Sequence, residues 1–312
     1  MRFLDVKTDL AFKKVFGSTE SKPILISFLN AILYTDQNKK IEDLTIVDPY
    51  AIPLLKGMKD SYVDVKAVLN DGTQVIVEMQ VLNHAGFEQR ILINAAKHYA
   101  LQLKKGQTYS LINPVIALTI ADFTMFKEEE LKDSVLTRFK LLEQQHFIKY
   151  SDDIELVFVE LPKFNKPFEA LETISDQWIY FLKHAGEMEM IPKTFDPCLS
   201  EALSFIDESN MSEAELEEQY KRKEFIYIQK SSLELAKQQG LKKGIKEGLE
   251  KGIKEGLEKG IKEGLEKGRK EGEIKANEET AIKLLALEMS PEIVAKTTGL
   301  SLEHVTQLQD KS

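Results

Sequence analysis

The stretch Asp64–Gln80 reads DVKAVLNDGTQVIVEMQ and decides the fold that the sequence predicts. Two runs rich in β-branched residues flank Asn70-Asp71-Gly72, which is typical of a β-hairpin. The odd-numbered positions of both runs are apolar. They share one face of the hairpin only if residues paired across the strands have numbers that add up to an even value. A three-residue loop over 70–72 meets this condition and sets Asp64 opposite Glu78.

The predicted register therefore brings two carboxylates together on one face of the hairpin. Cβ atoms in such a pair lie about 5 Å apart, and like charges there destabilise the strand pairing. Gln80 lies on the same face, with Tyr62 opposite it. One interpretation is that a divalent cation lies between the acids and activates a water for attack on a phosphodiester. The other is an amphipathic hairpin whose solvent-facing side happens to carry two acids.

Composition limits the class of protein. A chain of 312 residues with 43% hydrophobic content can bury a sizeable core and is long enough for about two domains. No apolar run is long enough to span a membrane and the first residues are charged, so we expect a cytoplasmic protein without a membrane segment. The single cysteine, Cys198, excludes a disulfide framework and a thiolate metal site, and the five histidines lack metal-ligand spacing.

The net charge of −9 at first disfavours a nucleic-acid partner. The excess of acid, however, lies in residues 151–239, whereas basic and acidic residues nearly balance in residues 1–150. The first half of the chain can therefore turn a basic face toward a polyanion, although it lacks a dense basic patch.

Hydrophobic periodicity predicts a set of helices and strands around the hairpin. The order of helices, strands, helix and strands indicates an α/β domain with a mixed sheet. The predicted helices are Leu4–Phe16, Lys22–Tyr34 and Phe87–Lys105, and the predicted strands lie within 43–53, 112–123 and 154–164.

Residues 166–239 are predicted to form an acidic helical region, and residues 240–276 contain a repeat with glycine at every fourth position. A period of four residues drifts by about 40° per unit around an α-helix, so no flat apolar face persists. Each glycine also costs about 1 kcal/mol relative to alanine. The segment is either a low-complexity spacer that is at best a marginal helix, or a self-associating helix whose glycines allow backbones to approach closely.

Residues 277–312 are predicted to form three short helices. Ala295, Gly299 and Val305 have helix-turn-helix spacing, and Ser301 suits the cap of the last helix. The segment is either a small helical bundle that mediates assembly or a module that reads a DNA groove.

The hairpin resembles the core of the PD-(D/E)XK nuclease fold, in which an acid on one strand is followed by E-x-K or E-x-Q on the next. Residues 1–165 resemble more closely the recombination-promoting nuclease and putative transposase family. This resemblance implies a restriction-endonuclease-like core of a mixed sheet flanked by helices, with Asp64 and Glu78 as metal ligands and Gln80 in the position where most nucleases of the fold have lysine. It rests on the segments DLAFKKVFG (9–17), FLNAIL (28–33), VDVKAVLNDG (63–72), VEMQ (77–80), FEQRILINAAKHYALQLKKGQTY (87–109) and PVIALTIADF (114–123).

Gln80 departs from the usual lysine in a way that bears on chemistry, because an amide orients water but cannot neutralise charge in the transition state. Arg90 and Lys97 lie with Asn94 on one face of the following predicted helix, and either cation could supply the missing charge. The alternative for this face is a solvated surface that at most touches phosphate. Asp9 is either a third acid of the site or an acid favoured by the helix dipole.

The function expected from the sequence is a DNA endonuclease that depends on Mg²⁺, or on another divalent cation such as Mn²⁺ or Ca²⁺. The resemblance implies that its cuts promote recombination or the mobility of genetic elements. The alternative is a non-cleaving DNA-binding or assembly protein that keeps the nuclease fold. DNA is the expected partner, and the C-terminal tail is expected to form a homo-oligomer.

Overall fold

A mixed β-sheet organises the first part of the chain. The computed structural model describes residues 2–34, 39–51, 61–103 and 106–310. Six strands form one sheet in the order β1-β4-β5-β6-β8-β7, and β2 pairs with β3 in a separate ribbon. The strands are β1 Leu44–Val47, β2 Tyr50–Ala51, β3 Ser61–Tyr62, β4 Val65–Leu69, β5 Gln74–Gln80, β6 Val115–Ala121, β7 Leu136–Phe139 and β8 Ile154–Glu160.

Strands β5, β6 and β8 run parallel to one another, whereas β1, β4 and β7 pair antiparallel with their neighbours. The predicted mixed sheet is therefore confirmed. The carboxyl ends of the three parallel strands meet at one edge of the sheet, since Gln80 pairs with Ala121 and Ala121 with Glu160. Ligand sites of sheets with parallel strands commonly form at this edge.

The predicted register of the central hairpin is confirmed. Val65 pairs with Val77, and Leu69 N–H donates to the carbonyl of Thr73, so the loop spans 70–72. Gly72 has φ +85°, a left-handed conformation that glycine adopts without steric cost. The odd-numbered side chains of both strands are buried in one hydrophobic core, as the apolar alternation predicts.

That core lies between one face of the sheet and four helices. Aromatic side chains of α1, α2 and α4 stack at its centre, where Phe16 and Trp178 both contact the ring of Phe28. The helices are α1 Asp9–Phe16, α2 Lys22–Leu33, α4 Ile174–His184 and α5 Pro197–Phe205. Helices α4 and α5 belong to the predicted acidic region 166–239, yet they pack into the same core as α1 and α2.

The opposite face of the sheet is covered by α3, Phe87–Ala100. Phe87, Ile91 and Ala95 of this helix pack against Ile76 of β5 and against side chains of β6 and β8. The even-numbered face of the hairpin, which carries Glu78 and Gln80, is thus covered along much of its length. This packing disfavours the interpretation in which the two acids lie on a solvent-facing side.

The chain divides into two compact units, Met1–Ser232 and Leu233–Ser312. Helix α6, Glu213–Leu285, begins in the first unit and contains the whole glycine repeat. The second unit ends with α7, Pro291–Thr298, and α8, Leu302–Gln309, which form a small core with the end of α6. Gly299 has φ +74° in the turn between α7 and α8, and Ser301 caps α8, as predicted. None of the described helices is both long and apolar enough to cross a membrane.

Several element boundaries differ from the prediction. Helix α1 starts at Asp9 instead of Leu4, because the preceding residues form an isolated bridge in which Phe3 pairs with Asp207. Helix α3 ends at Ala100, and Lys104 and Lys105 of its predicted end lie outside the described residues. Strand β7 was not predicted. It is a short edge strand and its residues LTRF have only one fully buried side chain, which gives a weak sequence pattern.

Candidate active site

The candidate active site lies at the edge of the sheet where β5 ends. Glu78 and Gln80 occupy the last residues of β5, and Asp64 directly precedes β4. With Asp9 of α1 and Arg90 of α3, these side chains line one cavity of about 370 Å³. The structure therefore brings together four of the five predicted site residues, Asp64, Glu78, Gln80 and Arg90.

Asp64 is a largely buried carboxyl. Burial raises its pKa to about 6, and the negative charge of Asp9 contributes in the same direction. The backbone N–H of Met79 donates to Asp64 Oδ2 at 2.7 Å and partly offsets the effect of burial. This bond ties the carboxyl of the first strand to the second strand, beside Glu78.

Glu78 is also buried, with a side chain 13% exposed. Burial raises its pKa to about 7, and the charge of Asp64 adds to the rise. The guanidinium of Arg90 and a hydrogen bond with Asn94 lower the pKa but do not cancel the effect of burial. The charge of Asp64 thus acts on Glu78, as expected for acids on the same face of the hairpin, and both carboxyls resist ionisation.

Arg90 links Glu78 to Gln80. Its Nη2 donates to Gln80 Oε1 at 2.7 Å and also contacts Glu78 Oε1. Gln80 Nε2 donates to the carbonyl of Leu82 at 3.1 Å, which fixes the amide with its oxygen toward the guanidinium. Arg90 in the first turn of α3 thus brings a positive charge to the position where lysine stands in most nucleases of the fold.

The other two candidates lie differently. Lys97, two turns after Arg90 on α3, is half-buried and is not among the described residues that line the cavity. Asp9 lines the cavity, and it also makes an ion pair with Lys13 at 3.6 Å, one turn along α1. Its position is compatible with both interpretations of this acid.

The structure adds residues that the sequence did not indicate. The cavity is also lined by Arg222, Phe225, Ile226 and Gln229, which lie on one face of α6, and by Lys7 and His84. The local sequence feature that marks this face of α6 is the basic cluster Lys221-Arg222-Lys223, which lies within an otherwise acidic region. Nothing in the sequence connects it to a hairpin more than a hundred residues earlier.

The sequence profile of the family described as PD-(D/E)XK nuclease family transposase matches residues 6–236. The chain belongs to this family. The match confirms the predicted restriction-endonuclease-like core and includes α4, α5 and the start of α6, beyond the predicted limit at residue 165. No curated protein and no solved structure matches the chain significantly.

The donor atoms of the site suit a hard divalent cation. Mg²⁺ is usually held by one or two carboxylates together with waters, and Asp64 and Glu78 provide two carboxylates that burial holds against ionisation. A cation between them would stabilise the charged forms. Among the described residues, no three His, Cys, Asp or Glu side chains are grouped so that they could hold a metal ion together.

Proposed function

We propose that this member of the nuclease family is a divalent-metal-dependent DNA endonuclease whose cuts promote recombination or the mobility of genetic elements, and that it acts in the cytoplasm. The observation that carries the proposal is the pair Asp64 and Glu78, which line one cavity and whose pKa values are both raised, mainly by burial. Two desolvated acids in one cavity are costly to the fold, and perturbed acids of this kind are characteristic of functional sites.

In the proposed mechanism, Asp64 and Glu78 would hold Mg²⁺, or Mn²⁺ or Ca²⁺ in its place. The metal, when bound, neutralises phosphate charge and lowers the pKa of a water. Gln80 orients the attacking water through its amide oxygen. Arg90, which contacts Glu78 and Gln80, would neutralise phosphate charge beside the acids. Lys97 is the weaker candidate for that role because it lies outside the cavity lining.

Cleavage of supercoiled plasmid by the purified protein, with and without Mg²⁺ or Mn²⁺, tests the function. We expect nicking with metal and none in excess chelator. Asp64→Asn and Glu78→Gln should each lower the rate by at least about 10³-fold, because each removes one of two metal ligands. Asn at position 64 still offers an oxygen to the Met79 N–H, so the local structure is kept.

Circular dichroism of both variants controls for folding. Wild-type nicking by either variant would refute the site assignment. A folded wild-type protein that binds DNA but never cuts it, with any of these metals, would instead favour the non-cleaving DNA-binding or assembly protein.

A further inference from the structure

Three cationic side chains among the described residues line the candidate active site, and they differ in what they contact. Lys7 Nζ donates to the carbonyl of Lys183 at 2.9 Å and lies 3.6 Å from Asp5 Oδ1, so it is used in the local structure. Arg90 is bound to Glu78 and Gln80. Arg222 makes no ion pair with any described residue, although it lines the same cavity as Asp9, Asp64 and Glu78.

The backbone that carries Arg222 is fixed on both sides. One turn earlier, the buried side chain of Gln219 accepts a hydrogen bond from Thr8 Oγ1 at 2.6 Å and donates to the carbonyl of Asp5 at 3.3 Å. Two turns later, Lys230 makes an ion pair with Asp122 at 2.6 Å. Asp122 directly follows β6 and its N–H donates to the carbonyl of Gln80, so this ion pair joins α6 to the edge of the site.

Among the described residues, the guanidinium of Arg222 is positioned by stacking on an aromatic ring. Its central carbon lies 5.6 Å from the centre of the Phe225 ring, one turn further along α6. Stacking on an aromatic ring orients a guanidinium plane while leaving its N–H donors available. The structure thus combines a fixed helix with a cation that stacks on an aromatic ring in the cavity lined by the two acids.

A phosphodiester is the ligand that fits these donors. Arginine binds phosphate oxygens through two parallel N–H bonds, and a nuclease cavity that receives a nucleic-acid strand must accept phosphate charge close to its own carboxylates. A further cation in the lining of the same cavity offsets that repulsion. The guanidinium of Arg90 already spans Glu78 and Gln80, so a second phosphate of the strand needs a second cation.

We propose that Arg222 binds a backbone phosphate of the DNA strand in the active-site cavity, and that α6 thereby contributes a substrate-binding residue from outside the nuclease core predicted by the sequence. The proposal rests on the DNA endonuclease function proposed above. It assigns to the segment 219–230 a direct role in holding substrate beside the two acids.

DNA binding by full-length Arg222→Gln tests this assignment, with Lys223→Gln as the matched control. Lys223 is the next residue on α6, loses the same charge, and is not among the described residues that line the cavity. Fluorescence anisotropy with a labelled duplex and a labelled single strand, in EDTA over a range of salt concentrations, measures binding without cleavage.

We expect Arg222→Gln to weaken binding about tenfold, the loss of one charge-assisted contact. The salt slope should fall by about 0.9 on duplex or about 0.7 on a single strand. Arg222→Lys should recover part of the affinity. With Mg²⁺, Arg222→Gln should raise the KM for cleavage more than it lowers kcat, and Lys223→Gln should match the wild-type protein in every assay.

Equal effects of Arg222→Gln and Lys223→Gln would overturn the assignment, because they would indicate a general effect of charge. A lower melting temperature of Arg222→Gln with normal DNA binding would overturn it as well, since the role would then be structural. If the wild-type protein neither binds nor cuts DNA, the proposed function and this inference fail together. Wild-type cleavage with an unaffected Arg222→Gln would remove this inference alone.

Discussion

At the scale of single residues, the two acids make metal binding and protonation compete. The pKa of Asp64 is raised to about 6 and that of Glu78 to about 7, mainly by burial. Between the ordinary carboxyl pKa near 4 and these values, the folded protein holds more protons than the unfolded chain. Without metal, stability therefore falls as pH rises from about 4 through about 7, and a bound cation reverses the loss by stabilising the ionised pair.

We accordingly expect Mn²⁺ to raise the melting temperature of the wild-type protein more at pH 8 than at pH 5.5. At the lower pH both carboxyls are largely protonated, and binding must first displace their protons. Thermal denaturation with and without Mn²⁺ at the two pH values measures the effect, and the Asp64→Asn, Glu78→Gln double variant is the control. The same metal-induced shift in that variant would locate the binding elsewhere.

Residue 80 is an uncharged glutamine, so a positive charge at the site must come from another element, such as α3. Because Arg90 already places its guanidinium on Gln80 Oε1, a lysine introduced at position 80 meets a like charge. Gln80→Lys should thus leave cleavage unchanged or lower it. Arg90→Ala should cost about 10²-fold or more in rate, the scale for one electrostatic contact to a transition state. Lys97→Ala should have little effect.

Cleavage kinetics of these three variants at saturating Mg²⁺ provide the measurement. Arg90 and Lys97 lie on the same helix, so Lys97→Ala is the matched control for loss of a positive charge. Faster cleavage by Gln80→Lys, together with wild-type rates for Arg90→Ala, would contradict the role of Arg90 and indicate a site that lacks a cation.

The sequence alone was enough to predict that Asp64, Glu78, Gln80 and Arg90 lie close together, because the position of each depends on the regular spacing of residues in one strand or helix. Strand alternation aligns the first three, and Arg90 occupies the first turn of the helix that leaves β5. Helical spacing alone also selected Lys97. Seven residues of helix advance about 10 Å, however, and this displacement along the axis moves Lys97 away from the strand ends.

Arg222 illustrates the limit of local patterns. Its place in the lining of the cavity depends on the packing of α6 through Gln219 and Lys230, which make contacts with residues far away in the sequence. No period in the sequence encodes such a contact.

At the scale of elements, the hairpin turn fixes the register on which the site depends. Gly72 adopts φ +85°, and a Cβ added there would lie 2.6 Å from the side-chain oxygen of Asn113. Asn113 is held through its backbone by two hydrogen bonds with Gln102, so it cannot easily withdraw. The turn is therefore constrained both by its own conformation and by the segment before β6.

Gly72→Ala should destabilise the fold by about 1–2 kcal/mol from the left-handed conformation alone, with more from the clash. Urea denaturation followed by circular dichroism measures the change. Gly106→Ala is the control, because Gly106 also has positive φ, +88°, but nothing lies within 4 Å of its added Cβ. Equal losses in both variants would exclude a contribution from the contact with Asn113.

Some elements could not be predicted from the pattern of the hairpin. They are the edge strand β7 and the helices α4 and α5. Strand β7 is recognised by its pairing with β8, where Arg138 also donates to Glu155 at 2.9 Å and to the carbonyls of Ile32 and Leu33. Such a strand is stabilised by tertiary contacts more than by its own pattern. The predicted limit at residue 165 reflected a change in composition, whereas the shared core continues through α5.

At the scale of the whole molecule, the glycine repeat is helical throughout and exposes a row of Leu and Ile side chains. Leu249, Ile253 and Leu257 are each more than 60% exposed, and apart from the nearby backbone of the helix itself, nothing lies within 4 Å of where a Cβ would be on any of the repeat glycines. Lys–Glu pairs four residues apart, such as Lys251 with Glu255 at 3.8 Å, offset part of the cost of the glycines.

The period of four residues limits how such a helix can associate. Because the apolar row advances by about 40° per unit, two copies can face each other over a few units or wind around each other with a right-handed twist. Either geometry needs a close approach of the backbones, for which glycine is suited. If the repeat is a spacer that does not associate, alanine at the same positions would stabilise its helix, by about 1 kcal/mol for each replacement.

Truncation after Gln239 and the triple variant Gly252→Ala, Gly256→Ala, Gly260→Ala together separate these possibilities. We expect the truncated protein to keep the folded first unit but to show a lower mass per particle in light scattering, because the exposed Leu and Ile row and the small core of α7 and α8 are removed.

If the glycines form the contact between chains, the triple variant should gain helicity and show a lower mass per particle. A triple variant that keeps its mass while the truncation loses it would assign assembly to residues 277–312. Equal masses for all three proteins, corrected for the deletion, would leave the repeat as a spacer.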